Sequence, residues 1–381
     1  MPWEDKTVED LRKEFVLSAE RTNNFSSLCR EFGITRKTGY KWIERYQKGY
    51  PLTDESRRPN TVANKTPYEI EKLITDLRDD NPGWGAKTIK RVLENQGNEN
   101  TPCVKTVNNI LNRYGCISKE ESLKHQPYQR FERDKCNELW QTDFKGEFLT
   151  SDGKYCYPLD ILDDHSRFLI KIKPYLNTEN VVKSTFEAAF KEYGMPKSIL
   201  SDNGAQFAGF RHGFTQFEKW LMNLDILPIH GRIKHPQTQG KIERFHRTLN
   251  NELLKHTKFN DINDADEKLQ CWRDKYNNIR PHEALNMKCP SEVYVPSDRI
   301  YRDEISKYEY SGQYHVIKVN SWGYVRFDRW QVYLSETMID EYIEFRPNPL
   351  GDSFVACYRN FKIAEFDTVT GKLIHRKISR L

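Results

Sequence analysis

The sequence has no apolar run near the roughly 20 residues that a helix needs to cross a bilayer. Its first residues, Met-Pro-Trp-Glu-Asp-Lys, lack the pattern of a signal peptide. Charge of one sign is not in large excess either, since 60 Lys and Arg face 55 Asp and Glu and give a net charge of +5. We therefore expect neither a membrane protein nor a standard exported one, and the position of the basic residues has to indicate any nucleic-acid partner.

Paired cysteine motifs are missing as well. The eight cysteines are scattered over the whole chain, none stands in a C-x-x-C pair, and none has histidines at zinc-finger spacing. This pattern is typical of free thiols in a reducing compartment. We therefore expect a cytoplasmic protein without a disulfide framework and without structural zinc.

The length and composition predict a multidomain protein. With 381 residues, 37% hydrophobic and 30% charged, the chain has room for two or three domains of roughly 100–200 residues each. Changes in composition and hydrophobic period divide it into four segments, which are residues 1–53, 60–117, 134–296 and 297–381. A polar, proline-bearing linker begins at Asp54.

Residues 1–53 are predicted to be all-α and to form a helix-turn-helix. Thr7 and Asp10 make a capping box, and Gly33 followed by Thr35 as an N-cap separates two later helices. The second of these helices carries a one-sided charge, which predicts DNA contacts through its N-terminal end. The basic residues are Arg36, Lys37, Lys41, Arg45 and Lys48, against the single acid Glu44. The alternative interpretation is the solvated face of a small helical bundle.

Residues 60–117 are also predicted to be helical. Pro67 opens one helix, the run that starts at Asn81 (Asn-Pro-Gly-Trp-Gly) interrupts the chain, and a third short helix is expected over Thr106–Gly115. The pattern fits a second helix-turn-helix and a structural helical spacer equally well.

The hydrophobic period changes to two in residues 134–296, which predicts strands. One strand is expected over Glu138–Phe148, with two more over Tyr155–Leu162 and Phe168–Tyr175. A helix, a short strand that ends at Asp202, and a second helix over Phe214–Leu224 follow. This order predicts a mixed α/β layer.

The last segment, residues 297–381, alternates between apolar and polar residues and is rich in aromatic residues, which predicts a small, all-β, barrel-like domain.

Three acids lie at the ends of different predicted elements. Asp143 interrupts an aromatic strand, where a carboxylate is costly unless it is paired or binds a cation. Asp202 follows the fourth strand at a tight glycine turn, and Glu243 begins a helix after a basic loop. An acid in that setting can bind metal while its neighbours hold phosphates. The basic residues around Glu243, which we predict to contact DNA, are Arg232, Lys234, Lys241, Arg244 and Arg247.

Four motifs, in this order, resemble those of bacterial insertion-sequence transposases in the retroviral-integrase (DDE) superfamily. They are Trp140-x-x-Asp143-Phe-Lys-Gly, Leu162-Asp-Asp-His-Ser-Arg-Phe168, Ser201-Asp-Asn-Gly204 and His235-Pro-Gln-Thr-Gln-Gly-Lys-x-Glu243. The resemblance is strong over residues 137–296. It implies an RNase H-like integrase core with a mixed five-stranded sheet.

The resemblance also implies a chemistry. Asp143, Asp202 and Glu243 would be the catalytic, metal-binding triad, with two Mg²⁺ ions per site and Mn²⁺ as a substitute. The expected activity is cleavage and joining of DNA strands. The expected partners are the terminal inverted repeats and the target DNA, bound by a homodimer or tetramer at the nucleoid in the bacterial cytoplasm. Two alternatives are a non-catalytic DNA-binding regulator and an RNase H-like hydrolase without strand transfer.

One departure from the family concerns the helix that carries Glu243. Relatives often have Lys or Arg seven residues after the glutamate, and here that position is Asn250. Residues three, four and seven apart share one face of a helix. Our hypothesis is therefore that Arg247 supplies the missing cation. The retroviral His₂Cys₂ zinc module is absent from the sequence, as in the bacterial group.

Neighbouring polar residues receive structural interpretations. Asp160, Asp163 and Asp164 are interpreted as parts of a strand and its capped turn, and not as metal ligands. His230 is interpreted as a phosphate or backbone partner. The helix and turn over Trp272–His282 are predicted mostly to pack against the core.

Overall fold

The computed structural model describes residues 7–55, 66–117, 133–209, 213–231, 240–348 and 351–381. They fall into two compact units, of which the first ends at residue 65 and the second begins at residue 66. The predicted DNA-contact residues Arg232 and Lys234 and most of the predicted linker lie outside the described ranges. No helix in those ranges is long and apolar enough to cross a membrane.

The first unit is a bundle of three helices, α1 (Val8–Ala19), α2 (Phe25–Glu31) and α3 (Arg36–Gln47). The predicted capping box is present, since Thr7 accepts from the Asp10 backbone N–H and the Asp10 side chain accepts in return. Gly33 has a φ of +63°, a conformation that favours glycine, and the Thr35 side chain caps α3. The predicted helical hairpin is therefore confirmed.

The second helical segment contains α4 (Tyr68–Asp79), α5 (Ala86–Asn95) and α6 (Val104–Arg113). Pro67 is the N-cap of α4 and not its first residue, and α6 starts two residues before the predicted Thr106. Both differences are within the one or two residues by which helix ends commonly vary. The buried core of this segment is Ile74, Trp84, Ile89, Val92, Leu93, Val107, Ile110 and Leu111.

A mixed sheet organises the third segment. Its strands are β1 (Trp140–Phe144), β2 (Phe148–Leu149), β3 (Tyr155–Asp163), β4 (Leu169–Tyr175), β5 (Ser198–Ser201) and β6 (Leu227–His230). β3 pairs antiparallel with β1 and β4, while β5 pairs parallel with both β1 and β6. The mixed sheet is confirmed, with the two-residue β2 as an addition to five main strands.

The predicted single strand Glu138–Phe148 is wrong, because it breaks into β1 and β2. Phe144 lies opposite Leu159, whereas Phe148 lies opposite Cys156, so one extra residue is inserted between the two pairings. The break comes opposite Pro158, which has no N–H to donate to the ladder. A one-residue shift reverses which face a side chain occupies. Phe148 therefore packs in a different cluster from Phe144.

Helices cover both faces of this sheet. The helices are α7 (Val182–Tyr193), α8 (Gln216–Asn223), α9 (Gly240–Leu249) and α10 (Ile262–Asn278), and a π-helical turn over Asn250–Leu254 follows α9. The strands and α7 and α8 share one apolar cluster, while α9 and α10 share another with β3 and β4. α8 begins two residues later than predicted, because Thr215 and Glu218 form a capping box.

The second helical segment packs on this α/β segment. Trp84 is buried, and the Lys275 ammonium of α10 lies 5.6 Å from its ring centre. Lys87 pairs with Glu283. A β-carbon on Gly83 would stand 2.5 Å from the Glu252 side chain, so only glycine allows this close approach.

The last segment is all-β, as predicted. Its strands are β7 (His315–Lys318), β8 (Tyr324–Phe327), β9 (Trp330–Tyr333), β10 (Tyr342–Pro347), β11 (Ser353–Tyr358), β12 (Phe361–Asp367) and β13 (Leu373–Arg380). Five of them form one antiparallel sheet in the order β13-β12-β11-β10-β7, and β8 and β9 form a hairpin. Both sheets share one apolar core. Tyr358 also donates a 2.6 Å hydrogen bond to Asn223 of α8, which ties this segment to the α/β segment.

Gly39 of α3 generates a test of the first unit. A β-carbon there would stand 2.9 Å from ring atoms of Phe15 and Phe25 and 3.0 Å from the Cys29 sulfur. We expect Gly39→Val to destabilise the unit by about 1–3 kcal/mol, because overpacking forces the rings apart. Amide hydrogen exchange should then accelerate in residues 7–55. Gln47→Ala, on the exposed side of the same helix, is the control, and unchanged exchange in Gly39→Val would contradict the tight packing.

Candidate active site

Asp143 and Asp202 lie level with each other at the carboxyl ends of two adjacent strands. β1 and β5 are parallel and place Gln141 opposite Leu200, and the same register continued by two residues places Asp143 opposite Asp202. Neighbouring strands are about 4.8 Å apart. The carboxyl ends of parallel strands are also where open α/β sheets bind their ligands. The sheet therefore brings together two acids that are 59 positions apart in the chain.

The turn after β5 fixes the Asp202 side chain. Its Oδ1 accepts a 2.9 Å hydrogen bond from the Gly204 N–H, and Asn203 donates a 2.9 Å bond to the Gly231 carbonyl oxygen. A β-carbon on Gly204 would stand 2.9 Å from the Asp202 carboxylate. Glycine at 204 therefore leaves the carboxylate room at the edge of the sheet.

Glu243 is on α9, which packs against β1. Its own side chain is exposed and has no hydrogen-bond or ion-pair partner within the described residues. Two residues earlier, the Lys241 ammonium lies 2.6 Å from Asp164, whose side chain is fully buried. The apolar residues that fix the other side of the helix are Ile242, Phe245 and Leu249. Glu243 is thus carried by a helix that is held on both its polar and its apolar side.

His246, one turn after Glu243, lies between two carboxylates. Its Nε2 is 2.9 and 3.1 Å from the two oxygens of Asp160, and its Nδ1 is 4.0 Å from Asp143 Oδ2. Asp160 is directly opposite Asp143 in the antiparallel register of β1 and β3, and its side chain is fully buried. Among the described residues, the Asp160 carboxylate has no side-chain or N–H partner besides His246.

These contacts shape the electrostatics of the site. Burial raises the pKa of Asp143 to about 7, and the charges of Asp160 and Asp202 add to this, while His246 opposes it. Burial works against the charged form of His246, yet Asp160 and Asp143 raise its pKa above the ordinary histidine value. The imidazole thus partly compensates a group of carboxylates that carries excess negative charge.

The donor set fits a hard divalent cation. Carboxylate oxygens are the ligands that Mg²⁺ and Mn²⁺ prefer, and the raised pKa of Asp143 shows that its ionised form lacks compensation. No three acidic, histidine or cysteine side chains of the described ranges already converge as a preformed metal cluster. Asp143 and Asp202 are brought together by the sheet, and the exposed Glu243 is the third available carboxylate nearby.

The neighbouring acids have structural partners. Asp163 accepts 2.8 and 2.7 Å bonds from the backbone N–H and hydroxyl of Ser166, which agrees with a capped turn. Asp164 accepts from Lys241, as described above. Asp160 lies in a strand, as predicted, and its side chain pairs with His246 beside Asp143.

His230 has side-chain partners in place of the predicted phosphate or backbone. Its Nδ1 is 3.2 Å from Ser201 Oγ, and its Nε2 is 2.8 Å from Glu218 Oε1. Ser201 and Glu218 are buried, and the array joins the ends of β5 and β6 to α8. The prediction that the helix over Trp272–His282 packs against the core is confirmed, since Trp272 and Tyr276 are buried beside α9.

The predicted DNA-contact residues differ in their surroundings. Arg36, Lys37 and Lys41 are exposed on α3, whereas Arg45 donates to Glu55 and to the Pro51 carbonyl oxygen. Lys48 pairs with Glu44. On α9, Lys241 is engaged by Asp164, while Arg244 and Arg247 are exposed.

Position 250 has a structural peculiarity. Helix α9 ends at Leu249, and Asn250 begins the π-helical turn. Residues in a π turn leave the register of the preceding α-helix. The structure therefore changes the direction of side chains at the position where relatives often carry a cation, while Arg247 remains on the regular helix.

Family models match both parts of the chain. Residues 133–236 and 224–290 each match a model described as an integrase core domain. Residues 11–59 match a helix-turn-helix domain, and residues 38–111 match a homeodomain-like domain. The chain therefore carries an integrase core preceded by helix-turn-helix domains, in agreement with the resemblance to the retroviral-integrase (DDE) superfamily. The homeodomain-like match favours a second DNA-binding unit over a plain helical spacer in the second helical segment.

Curated relatives of this integrase-core protein come from mobile elements. An uncharacterized 31.7 kDa protein of insertion element IS407 from Burkholderia multivorans is 27% identical over 41% of the chain and 54% of the relative. The transposase for transposon Tn552 from Staphylococcus aureus is 25% identical over 72% of the chain and 63% of the relative. The chain thus spans between half and two thirds of these proteins. They agree with the resemblance to insertion-sequence transposases.

A solved structure also matches the core. The HTLV-2 integrase catalytic core domain in complex with magnesium is 18% identical, with a TM-score of 0.33, and the match covers 42% of this chain and 97% of the other.

The raised pKa of Asp143 predicts how charge affects stability at this site. A carboxyl whose pKa rises from 3.8 to about 7 on folding costs stability once the pH exceeds its unfolded value, and the cost grows until about pH 7. Asp143→Asn should therefore stabilise the metal-free protein more at pH 8 than at pH 5, by up to roughly 3 kcal/mol. The measurement is chemical or thermal unfolding in a chelator at both pH values. Asp274→Asn, at an exposed position, is the control, and a pH-independent difference would refute the assignment.

Proposed function

We propose that the chain is a DNA transposase that binds the terminal inverted repeats of its insertion element and cleaves and joins DNA strands at Asp143, Asp202 and Glu243. Two observations support the proposal: Asp143 and Asp202 lie level when the parallel register of β1 and β5 is continued, and α9, which carries Glu243, packs against β1. These three residues would hold two divalent cations, normally Mg²⁺, with Mn²⁺ as a substitute.

When bound, the cations supply activation of the attacking hydroxyl and stabilisation of the leaving oxygen. The protein's own residues hold the reacting DNA in place. Arg244 and Arg247 are exposed beside Glu243 on α9, where they can hold backbone phosphates of a DNA end. His246 limits the negative charge next to Asp143 and so reduces repulsion of the phosphate. Helix α3 binds the terminal repeat through its exposed basic residues Arg36, Lys37 and Lys41.

Two other functions use the same fold. A non-catalytic regulator would have no need for a carboxylate as costly as Asp143, whose pKa of about 7 reflects its burial and its acidic neighbours. A hydrolase without strand transfer would have no need for DNA-binding units ahead of the core, and both such units are matched here. The transposase accounts for both features. Because joining two element ends requires two catalytic cores, we propose a homodimer or tetramer on DNA, acting in the bacterial cytoplasm at the nucleoid.

The triad gives the direct test. Asp143→Asn, Asp202→Asn and Glu243→Gln keep the side-chain shape but remove the charge that holds the cations, so each should reduce cleavage and joining of labelled element ends to background. Binding of the ends in gel-shift assays should remain. Glu267→Gln, an exposed glutamate on α10, is the matched control. Near-normal strand transfer in any triad variant would show that this residue is wrongly assigned, and no strand transfer by the unmodified protein would refute the function.

The recognition helix is tested separately. The triple substitution to Ala of Arg36, Lys37 and Lys41 should weaken binding to terminal repeats, because cations that contact DNA phosphates are lost. Each lost phosphate contact should also lower the slope of affinity against salt concentration, on logarithmic axes, by roughly one. Fluorescence anisotropy titrations at several salt concentrations measure both quantities. Lys13→Ala, on the exposed side of α1, controls for a general loss of charge. Unchanged affinity and an unchanged salt slope would indicate that the second helical segment, and not α3, recognises the repeats.

A further inference from the structure

We propose that Asp160 and His246 are positioning residues that set the geometry of the metal-binding carboxylates, a role outside the triad itself. The inference rests on the proposed function, because it concerns the cations that the triad would hold. It derives from one continuous set of contacts, which runs from strand β3 through the imidazole to strand β1 and helix α9.

The first step is the placement of Asp160. It lies directly opposite Asp143 on the neighbouring antiparallel strand, so both side chains are on the same face of the sheet. Asp160 is fully buried, and a buried carboxylate is costly unless a partner compensates it. Among the described residues its carboxylate has one hydrogen-bond partner, the His246 ring, at 2.9 and 3.1 Å, and the charge of Lys145 adds to the compensation.

The second step is the connection that His246 makes. One ring nitrogen faces Asp160, and the other lies 4.0 Å from Asp143 Oδ2. The bond to Asp160 fixes the ring plane, which holds a protonatable nitrogen next to the Asp143 carboxylate and favours one position of that carboxylate by charge attraction. Partners of this kind, which orient the groups that bind a metal, typically change metal affinity by about 10–100-fold when removed.

The third step concerns Glu243. It precedes His246 by three residues, so the two share a face of α9. On the other side of Glu243, Lys241 is tied to Asp164, which follows the end of β3. The helix is therefore attached to β3 by polar contacts on both sides of Glu243, and the Asp160–His246 contact is the one that also reaches Asp143.

Metal affinity measures this role without any DNA. Mn²⁺ binding to the full chain can be followed by the electron paramagnetic resonance of free Mn²⁺, and folding by the melting temperature in a chelator. We expect Asp160→Asn and His246→Ala each to weaken Mn²⁺ binding about 10–100-fold. In His246→Gln the side-chain amide nitrogen can take the place of Nε2 and restore the contact with Asp160, so this variant should recover most of the affinity. Asp274→Asn and His256→Gln, both at exposed positions, are the matched controls.

The outcomes separate the inference from the proposed function. If Asp160→Asn and His246→Ala bind Mn²⁺ as tightly as the unmodified protein does, the positioning role is overturned and the triad assignment is unaffected. The positioning role is also overturned if the loss of Mn²⁺ affinity parallels a fall in melting temperature and His246→Gln binds Mn²⁺ no better than His246→Ala. That result would mean that the two residues act through packing alone. Absence of Mn²⁺ binding by the unmodified protein refutes the proposed cations and the inference together.

Discussion

Mutual repulsion among carboxylates is the constraint on which this structure depends. Asp143 lies opposite Asp160 on the neighbouring strand β3, and Asp202 directly follows β5, the parallel neighbour of β1. Burial removes the water that would screen them, and the pKa of Asp143 rises to about 7 as a result. The fold tolerates this arrangement because His246 and Lys241 bring positive or protonatable groups to buried acids. Charge that remains uncompensated is charge that a divalent cation can neutralise.

The same constraint explains how α9 is built. Its apolar side is fixed by an ordinary hydrophobic cluster with β3, β4 and α10. Apolar packing alone leaves a helix free to slide or rotate by small amounts, whereas a hydrogen bond to a buried acid is specific in distance and direction. The two polar contacts to β3 therefore define where Glu243 lies. Stability lost at the acids is offset by packing elsewhere in the unit, as is common at sites that bind ligands.

The modules around this site have different relations to it. The second helical segment contacts the α/β segment through Trp84, Gly83 and Lys87, and the β segment contacts it through Tyr358. These contacts give the catalytic segment fixed neighbours on the same unit. The first three helices form a separate compact unit, and their small core is built from its own residues.

Much of this architecture was already determined by the sequence. Local signals such as the Thr7 capping box, the Gly33 turn and the Thr35 cap depend on neighbours within a few residues, and the structure contains them all. The change from helical to alternating period likewise located the mixed sheet and the all-β segment. The motifs that contain Asp143, Asp202 and Glu243 identified the superfamily, because their order and spacing are specific.

Only the tertiary structure decided how the charged groups are partnered. The sequence predicted a strand at Asp160, but only the strand register places this residue opposite Asp143, and His246 comes to it from a helix 86 positions away. The break of the first strand depended on a proline in the facing strand, and the direction of Asn250 on a π turn. Each of these is a long-range or register effect. The sequence states which residues prefer helix, strand or turn, but the pairing of distant strands and helices determines which charges face one another.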